Sequence, residues 1–198
     1  MQIKIESSKQ VYDGFFRVDQ IHFKHELFKG GWSPVIYREL LCKNQNGAVI
    51  FLYDMKSEQV ILIEQCRACT LATEGQKNWL IEPVAGMIDP GETAEQACVR
   101  EAEEEAGALL SIENLEFVCK YYPSPGGFGE MLHLYAAEID ASKIGEYAGL
   151  QHENEDIKVH KISFKQAYQD LMDKKYEVAS TYIALQWLFL HKIKIKIN

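Results

Sequence analysis

The chain has 198 residues, of which 47% are hydrophobic, and it carries a formal net charge of −8. This length and composition suffice for one domain of ordinary size with a real core and a small additional unit. No apolar run approaches the ~20 residues that a membrane-spanning helix needs, and the N-terminus lacks a signal-peptide pattern, so we expect a cytoplasmic protein without a membrane partner. The negative charge argues against nonspecific binding to nucleic acid, which depends on Lys and Arg side chains that neutralise phosphates.

The cysteines are odd in number and follow no regular spacing. We expect them to be reduced thiols in a reducing compartment, with no structural disulfide. Residues 66–69 form a single CxxC pattern, which lacks the second pair that a zinc ribbon needs. The five residues are Cys42, Cys66, Cys69, Cys98 and Cys119.

The N-terminal part of the chain alternates apolar and polar side chains over residues 11–29 and 34–42, with Gly30-Gly31 between the two stretches. This pattern predicts an antiparallel β-meander. We therefore expect residues 1–45 to form a small β-sheet appendage. Because so small a sheet is marginally stable by itself, it should pack on another surface, either a second copy of the chain or the rest of its own chain.

The remainder, residues 46–198, predicts one larger domain. Along the chain, strand-like stretches are followed by a central acidic helix, further strands and two closing helices. This order indicates a mixed β-sheet packed between helices. The tail at 192–198 alternates and is compatible with a strand or a frayed end. The predicted strands are 48–53, 59–65, 78–85, 115–122, 131–138 and 157–163, and the closing helices are 164–174 and 178–191.

The central helix has clear start and stop signals in the stretch GMIDPGETAEQACVREAEEEAGA at residues 86–108. Pro90-Gly91 is a turn signal, and Thr93 with Gln96 three residues later predicts a capping box at the N-terminus of the helix. Gly107 suits the left-handed position that ends a helix. We therefore predict a helix that begins after Thr93 and ends before Gly107.

The same helix carries carboxylates where its apolar face should continue. A small apolar stripe between residues 94 and 98 extends, at helical spacing, into Glu101, Glu104 and Glu105. Two carboxylates about 4 Å apart repel by roughly 4 kcal/mol at an effective dielectric of 20, so a cation between them is favoured. A donor set of oxygen atoms alone selects Mg²⁺, with Mn²⁺ as the alternative. A solvated charge run on an ordinary helix is the competing interpretation.

The spacing of the specified residues favours the metal site. The pattern resembles the Nudix box, and a Nudix box implies cleavage of a phosphate linkage. Arg100 stands within reach of the carboxylates at positions 101 and 104 and is predicted to orient one of them, although a weak surface salt bridge is the alternative for this residue alone. The specified residues are Gly86, Glu92, Arg100-Glu101, Ala102, Glu104-Glu105, Gly107 and Ala108.

Segments outside the box narrow the resemblance to the ADP-ribose pyrophosphatase branch of the Nudix hydrolases, over nearly the whole chain from Phe16 to His191. The resemblance implies an α/β/α sandwich with a mixed sheet. It also implies a homodimer that hydrolyses ADP-ribose to AMP and ribose 5-phosphate with Mg²⁺. The similar segments are EQCR at 64–67, WLIEPVAG at 79–86, SPGG at 124–127 followed by Glu130, HENED at 152–156 and TYIALQWL at 181–188.

The resemblance also implies roles for individual residues. Glu153 corresponds to the general base that takes a proton from the attacking water, and Glu101 and Glu105 count as catalytic through the metal ion that they bind. Because Glu153 and Glu155 are two residues apart, an exchange of their roles remains open, and a solvated acidic loop is the alternative for the whole segment. The implied metal ligands are the backbone carbonyl of Ala85 and the carboxylates of Glu101, Glu104, Glu105 and Glu155.

Substrate contacts are implied in the same way. Arg67 matches a phosphate-binding arginine, whose guanidinium can bind two oxygens at once. Phe16 is the weakest of these assignments, because an aromatic residue in a strand is more often plain core. Lys43 departs from the arginine expected at its position. The implied contacts are Arg67 and Met87, then Glu82 and Glu130 for sugar hydroxyls, Ser124 and Gly126 in a turn that approaches the substrate, and Phe16, Arg17, Arg38 and Glu39 for adenosine across a dimer interface.

Two other functions remain open from the sequence. The chain could hydrolyse another nucleoside diphosphate sugar, such as GDP-mannose, because members of the branch share the SPGG turn and the late acidic segment. It could also be a nonenzymatic nucleotide-sensing module. The presence of Glu101, Glu104, Glu105 and Glu153 argues against the module, because loss of a box carboxylate would be its signature.

Overall fold

The computed structural model describes residues 1–42 and 45–194. The chain forms two compact units: Met1–Asn46 together with Tyr121–Leu132, and Gly47–Lys120 together with His133–Asn198. The expectation for Lys43 and that for most of the 192–198 tail lie outside the described residues. No helix in the described part of the chain is long and apolar enough to cross a membrane.

The N-terminal unit contains a three-stranded antiparallel sheet of β1 (Ile3–Asp13), β2 (Arg17–His25) and β3 (Ile36–Cys42). The strands follow one another in the order β1-β2-β3, which confirms the predicted meander. The first hairpin turns at residues 14–16, so it divides the predicted stretch of 11–29. All of β1 is exposed, including the segment before residue 11 that the sequence did not mark as a strand.

The larger unit is built around a mixed eight-stranded sheet. The order along the sheet is β10-β11-β5-β4-β9-β8, while β6 pairs with β5 and β7 pairs with β4. The strands are β4 (Gly47–Asp54), β5 (Gln59–Cys66), β6 (Trp79–Glu82), β7 (Val84–Met87), β8 (Glu116–Tyr121), β9 (Leu132–Glu138), β10 (Tyr147–Ala148) and β11 (Ile157–Ser163).

Three helices cover the two faces of this sheet: α1 (Ala94–Ala106), α2 (Phe164–Met172) and α3 (Ala179–Trp187), the last followed by a π-helical turn at Leu188–Lys192. Helix α1 packs in one core cluster with alternate residues of β4 and β5, whereas Trp187 of α3 contacts Tyr53. Every residue of β4 is buried, because helices lie on both sides of it. The predicted sandwich of helix, mixed sheet and helix is confirmed.

Candidate active site

Helix α1 is fixed at both ends by the predicted residues. The Thr93 side chain accepts a hydrogen bond from the backbone N–H of Gln96 (3.3 Å), and the Gln96 side-chain oxygen accepts one from the backbone N–H of Thr93 (2.8 Å). Gly107 adopts a left-handed conformation with φ 65° after the last turn. The capping box and the glycine stop are therefore confirmed, and they set which face of the helix meets the sheet.

The face of α1 that meets the sheet carries two buried carboxylates. Glu105 is 2% exposed and Glu101 is 9% exposed. The Glu101 carboxylate lies against Gly86 so closely that a Cβ atom at position 86 would overlap it. The glycine at the start of the box is required because β7 and the Glu101 side chain approach closely there.

Arg100 holds this cluster in place. Its Nη1 donates hydrogen bonds to Glu101 Oε1 (2.7 Å) and Glu104 Oε2 (3.0 Å). Its Nη2 donates to the carbonyl of Met87 (3.0 Å) and to Glu92 Oε2 (3.0 Å). The prediction that Arg100 orients a carboxylate is confirmed, since one guanidinium links the box helix with the strand and loop that precede it.

The electrostatics of the two buried carboxylates favour a cation. Burial raises the pKa of Glu105 to about 8; a hydrogen bond from the backbone N–H of Ala85 opposes this shift, and the charge of Glu101 adds to it. Burial likewise raises the pKa of Glu101. The charge of Glu155 contributes to both raised pKa values. Bound positive charge would stabilise their ionised forms.

The donor chemistry of this cluster fits a hard divalent ion, because it offers only carboxylate and carbonyl oxygens. Each buried carboxylate already has a partner: Glu105 Oε2 accepts from the backbone N–H of Ala85 (3.0 Å), and Glu101 pairs with Arg100. Across residues 1–42 and 45–194, no three His, Cys, Asp or Glu side chains are arranged tightly enough to hold a metal ion. The hydrogen bonds from Ala85 and Arg100 use one oxygen of each carboxylate, which leaves lone pairs for coordination.

An acidic segment and an arginine line one cleft of the larger unit. The cleft is formed by the end of β5, Trp79 of β6, and residues 153–156. Arg67 lies in its wall, where its Nε donates to Glu82 Oε1 (2.6 Å). Glu82 is buried, so it holds the guanidinium in one orientation; its predicted contact with a sugar stays a prediction.

The acidic segment is tied to helix α1. The backbone N–H of Gly149 donates to the carbonyl of Glu104 (3.0 Å). Glu155 Oε2 accepts from the backbone N–H of Leu150 (3.2 Å), and Asn154 turns the chain with φ 59°. The structure thus brings two opposite charges into the surroundings of Glu105: that of Glu155, which raises its pKa, and that of Arg67, which lowers it.

Met87 ends β7 in the larger unit, where its carbonyl accepts from Arg100 (3.0 Å), and its contact with substrate stays a prediction. The remaining predicted substrate contacts belong to the N-terminal unit. Glu39 accepts hydrogen bonds from the hydroxyl of Tyr37 (2.7 Å) and from Gln20 Nε2 (3.3 Å). Arg38 donates to the carbonyl of Tyr37 (2.7 Å), and the ring of Phe16 meets that of Phe128 edge to face, with 6.2 Å between centroids. Their roles in substrate binding stay predictions.

Within the same unit, Ser124 starts a turn in which its carbonyl accepts from the backbone N–H of Phe128 (3.0 Å). Gly126 has open space where a Cβ would lie. Glu130 is buried, and Arg17 forms an ion pair with Asp19 (3.0 Å). The turn gives a ligand room to approach the backbone, and the proposed sugar and adenosine contacts stay predictions.

Sequence reasoning assigned no role to several side chains in the wall of the cleft, among them Gln65 and Trp79. Gln65 stands on the face of β5 that carries Ile61 and Ile63, where the alternation calls for an apolar residue. That break in the pattern was the available signal. Trp79 gave none, because an aromatic residue at the start of a strand is common.

The site combines buried carboxylates on one helix face with an arginine and an acidic segment, in a mixed α/β unit. This combination is typical of an enzyme that hydrolyses phosphate linkages with a divalent cation. The NUDIX domain family matches residues 43–184. The chain therefore belongs to the Nudix family, and it carries the complete set of box carboxylates.

Curated relatives of known name agree with this assignment. The chain is 42% identical to the ADP-ribose pyrophosphatase of Haemophilus influenzae over 98% of this chain and 89% of that protein. It is 40% identical to the ADP-ribose pyrophosphatase of Escherichia coli K12 over 98% and 91%. It is 31% identical to the GDP-mannose pyrophosphatase of Cronobacter sakazakii over 98% of both.

A solved structure named as an ADP compounds hydrolase superposes with a TM-score of 0.69 and covers 98% of both chains. Its sequence identity is 19%, so this likeness supports the fold alone. Together with the family match, it agrees with a Nudix-type α/β/α sandwich.

Proposed function

We propose that the protein hydrolyses the pyrophosphate bond of ADP-ribose to AMP and ribose 5-phosphate with the help of Mg²⁺, Mn²⁺ being the alternative ion. The observation that carries the proposal is the pair of buried carboxylates, Glu101 and Glu105, beside Arg67 and the acidic segment. The names of the most similar relatives supply the substrate. Identity to the ADP-ribose enzymes, at 40–42%, exceeds the 31% to the GDP-mannose enzyme.

The ion would be held by oxygens of the box helix and of the acidic segment. When bound, it would neutralise charge on the pyrophosphate and lower the pKa of water. The proposed ligands are the carbonyl of Ala85 and the carboxylates of Glu101, Glu104, Glu105 and Glu155.

The remaining chemistry belongs to protein side chains. Arg67, fixed by Glu82, binds phosphate oxygens with its free guanidinium nitrogens. Glu153 accepts a proton from water, whose oxygen forms a bond to one phosphorus while the bond from that phosphorus to the bridging oxygen breaks. The bridging oxygen leaves with the other phosphoryl group, so the two products are a mononucleotide and a sugar phosphate.

The assignment of the base is tested by replacing two of the three carboxylates of the acidic segment, Glu153 and Glu155, one at a time. Glu153→Gln should lower kcat by about 10²–10⁴-fold while Mg²⁺ affinity persists, because general base catalysis contributes that much. Glu155→Gln should weaken Mg²⁺ binding. If Glu155→Gln instead removes turnover and leaves Mg²⁺ affinity intact, the two roles are exchanged.

The substrate is tested with a panel of nucleoside diphosphate sugars in the presence of Mg²⁺ and ¹⁸O-labelled water. ADP-ribose should give the highest kcat/KM, and the labelled product identifies the attacked phosphorus. A higher kcat/KM for GDP-mannose would replace the proposed substrate. Binding of the nucleotide without turnover would support the sensing module instead.

We further propose that the chain acts as a homodimer in the cytoplasm, through its N-terminal sheet. Large apolar side chains on β1 are exposed, among them Ile3, Ile5 and Tyr12. An apolar strand surface of this kind is typical of an interaction site. Light scattering should give about twice the 22.7 kDa chain mass; Ile3→Lys with Ile5→Lys should give the monomer, whereas the control Lys9→Ala should leave the mass unchanged.

A further inference from the structure

Strand β5 carries a polar side chain on its buried face. Ile61 and Ile63, which point to the same face, are 1% and 0% exposed, and Gln65 follows them at 7%. Alternation along a strand places all three against the core that contains α1. An apolar residue would suit this position, so the amide needs a separate explanation.

The Oε1 atom of Gln65 is buried and has no hydrogen-bond partner among the described residues. An unpaired buried acceptor lowers stability, whereas an apolar side chain of similar size avoids that penalty. Folding therefore gains nothing from this oxygen. A partner that is present only during the reaction would explain why it is there.

Gln65 lines the same cleft as Arg67 and Glu153. The reaction proposed above uses a water molecule with two hydrogens, of which Glu153 takes one. The second hydrogen needs an acceptor if the oxygen lone pair is to stay directed at phosphorus. Rotation about the terminal torsion of Gln65, which is broad, would exchange the places of its oxygen and its amide nitrogen and direct the oxygen to the cleft.

We infer that Gln65 is a catalytic residue whose Oε1 accepts a hydrogen bond from the attacking water, and this inference rests on the proposed hydrolysis. The two acceptors, Gln65 and Glu153, together fix the orientation of one water molecule. The hydrogen bond at Gln65 compensates an acceptor that is unpaired in the free protein. Because this hydrogen bond is made to the attacking water and not to the substrate, it contributes to the transition state rather than to substrate binding. Its removal is therefore expected to lower kcat without raising KM.

The test is Gln65→Met, assayed with ADP-ribose and Mg²⁺, with Gln65→Leu as a second variant of similar volume. We expect kcat to fall about 10–100-fold with KM within twofold of the wild type, in line with the loss of one oriented hydrogen bond. We expect the melting temperature to stay the same or to rise, since an unpaired buried acceptor has been removed. Gln166→Met, at an exposed position on α2, is the matched control and should change none of these values.

Methanol provides a readout that a purely structural role would not change. Methanol has a single O–H group. Glu153 takes its proton, so methanol as the nucleophile needs no second acceptor. In methanol–water mixtures Gln65→Met should therefore raise the ratio of methyl phosphate ester to hydrolysis product by about tenfold relative to the wild type, the factor expected for about 1.4 kcal/mol.

Three results would overturn the inference: an unchanged kcat, a change in KM alone, or a large fall in melting temperature in both Gln65 variants. A wild-type protein that does not hydrolyse ADP-ribose with Mg²⁺ contradicts the proposed function itself. If the wild-type protein hydrolyses ADP-ribose and the Gln65 variants have the same kcat as the wild type, only the role of Gln65 is contradicted.

Discussion

Among the proposed metal ligands, Glu105 is the most deeply buried carboxylate. Its carboxylate is 2% exposed, and burial raises its pKa to about 8. Glu105→Gln should lower kcat by about 10³-fold or more, because an anionic ligand is lost. The free energy of unfolding without metal should stay the same or increase near neutral pH. A carboxyl whose pKa is raised on folding opposes folding above pH 4.5, and the amide avoids this cost while its oxygen still accepts from Ala85.

The control for this variant is Glu103→Gln, which changes an exposed carboxylate on the same helix. Turnover assays and chemical denaturation in a chelator measure both effects. Near-normal turnover in Glu105→Gln would remove this residue from the metal site. A large loss of stability would show that the carboxylate is structural.

Gly86 provides a second prediction at this scale. A Cβ atom there would overlap the Glu101 carboxylate, so Gly86→Ala must displace that side chain from Arg100. We expect kcat to fall at least tenfold and stability to fall by about 1–3 kcal/mol, the usual effect of overpacking. Gly145→Ala is the control, because its nearest contact is at an ordinary 3.7 Å. Equal activity of Gly86→Ala and the wild type would contradict the close approach.

At the scale of elements, the turn between β4 and β5 is anchored by one carboxylate. Asp54 Oδ1 accepts from the backbone N–H groups of Lys56 (2.8 Å) and Ser57 (3.0 Å), and Oδ2 accepts from that of Ala141 (3.0 Å). These hydrogen bonds lower the pKa of Asp54 to about 2, and the one from Ala141 has the largest effect. The carboxylate thus joins the turn to the segment that follows β9.

A lowered pKa in the folded state means that the unfolded state binds a proton more readily as the pH falls. The contribution of Asp54 to stability, about 2 kcal/mol, is therefore present above pH 3.8 and is lost as the pH falls towards 2. Asp54→Asn should be less stable than the wild type by about 1–2 kcal/mol at pH 7, since its amide offers one acceptor instead of two. The difference should shrink near pH 2.

Denaturant titrations of both proteins at several pH values measure this convergence. Asp13→Asn, which changes an exposed carboxylate on β1, should leave the curve unchanged. A constant gap between Asp54→Asn and the wild type from pH 7 to pH 2 would mean that the ionised form of Asp54 is not what stabilises the turn.

Most elements could be predicted because their patterns are local. Helix α1 has both caps in its own sequence, and the strands at the centre of the sheet are continuous apolar runs. The predicted strand at 78–85 is two short strands, separated at Pro83, which has no N–H to donate to a ladder. Strand β1 was not fully predicted, because its exposed side chains show no buried face. The π-helical turn after α3 has no sequence signal.

At the scale of the whole molecule, the sequence predicts the box carboxylates and single residues of the cleft such as Arg67, Glu153 and Glu155, but not how the cleft side chains pair with one another. Glu101, Glu104, Glu105 and Arg100 stand within one helix, so their spacing is enough to place them together. The ion pair between Arg67 and Glu82 links the residue that follows β5 to the end of β6, so it depends on how those strands pair. The unpaired oxygen of Gln65 appears only after the strands and the acidic segment have been packed.

Metal binding should also stabilise the whole chain. An ion that binds the folded state alone adds about 2.7 kcal/mol at a concentration of 100 Kd. For a protein of this length each kcal/mol raises the melting temperature by about 2–4 °C, so saturating Mg²⁺ should raise it by about 5–10 °C. Thermal scans with Mg²⁺ and with a chelator measure this difference in melting temperature. Glu105→Gln should show little of the rise, whereas Glu103→Gln should show all of it. An equal rise in both variants would place the ion away from the buried face of α1.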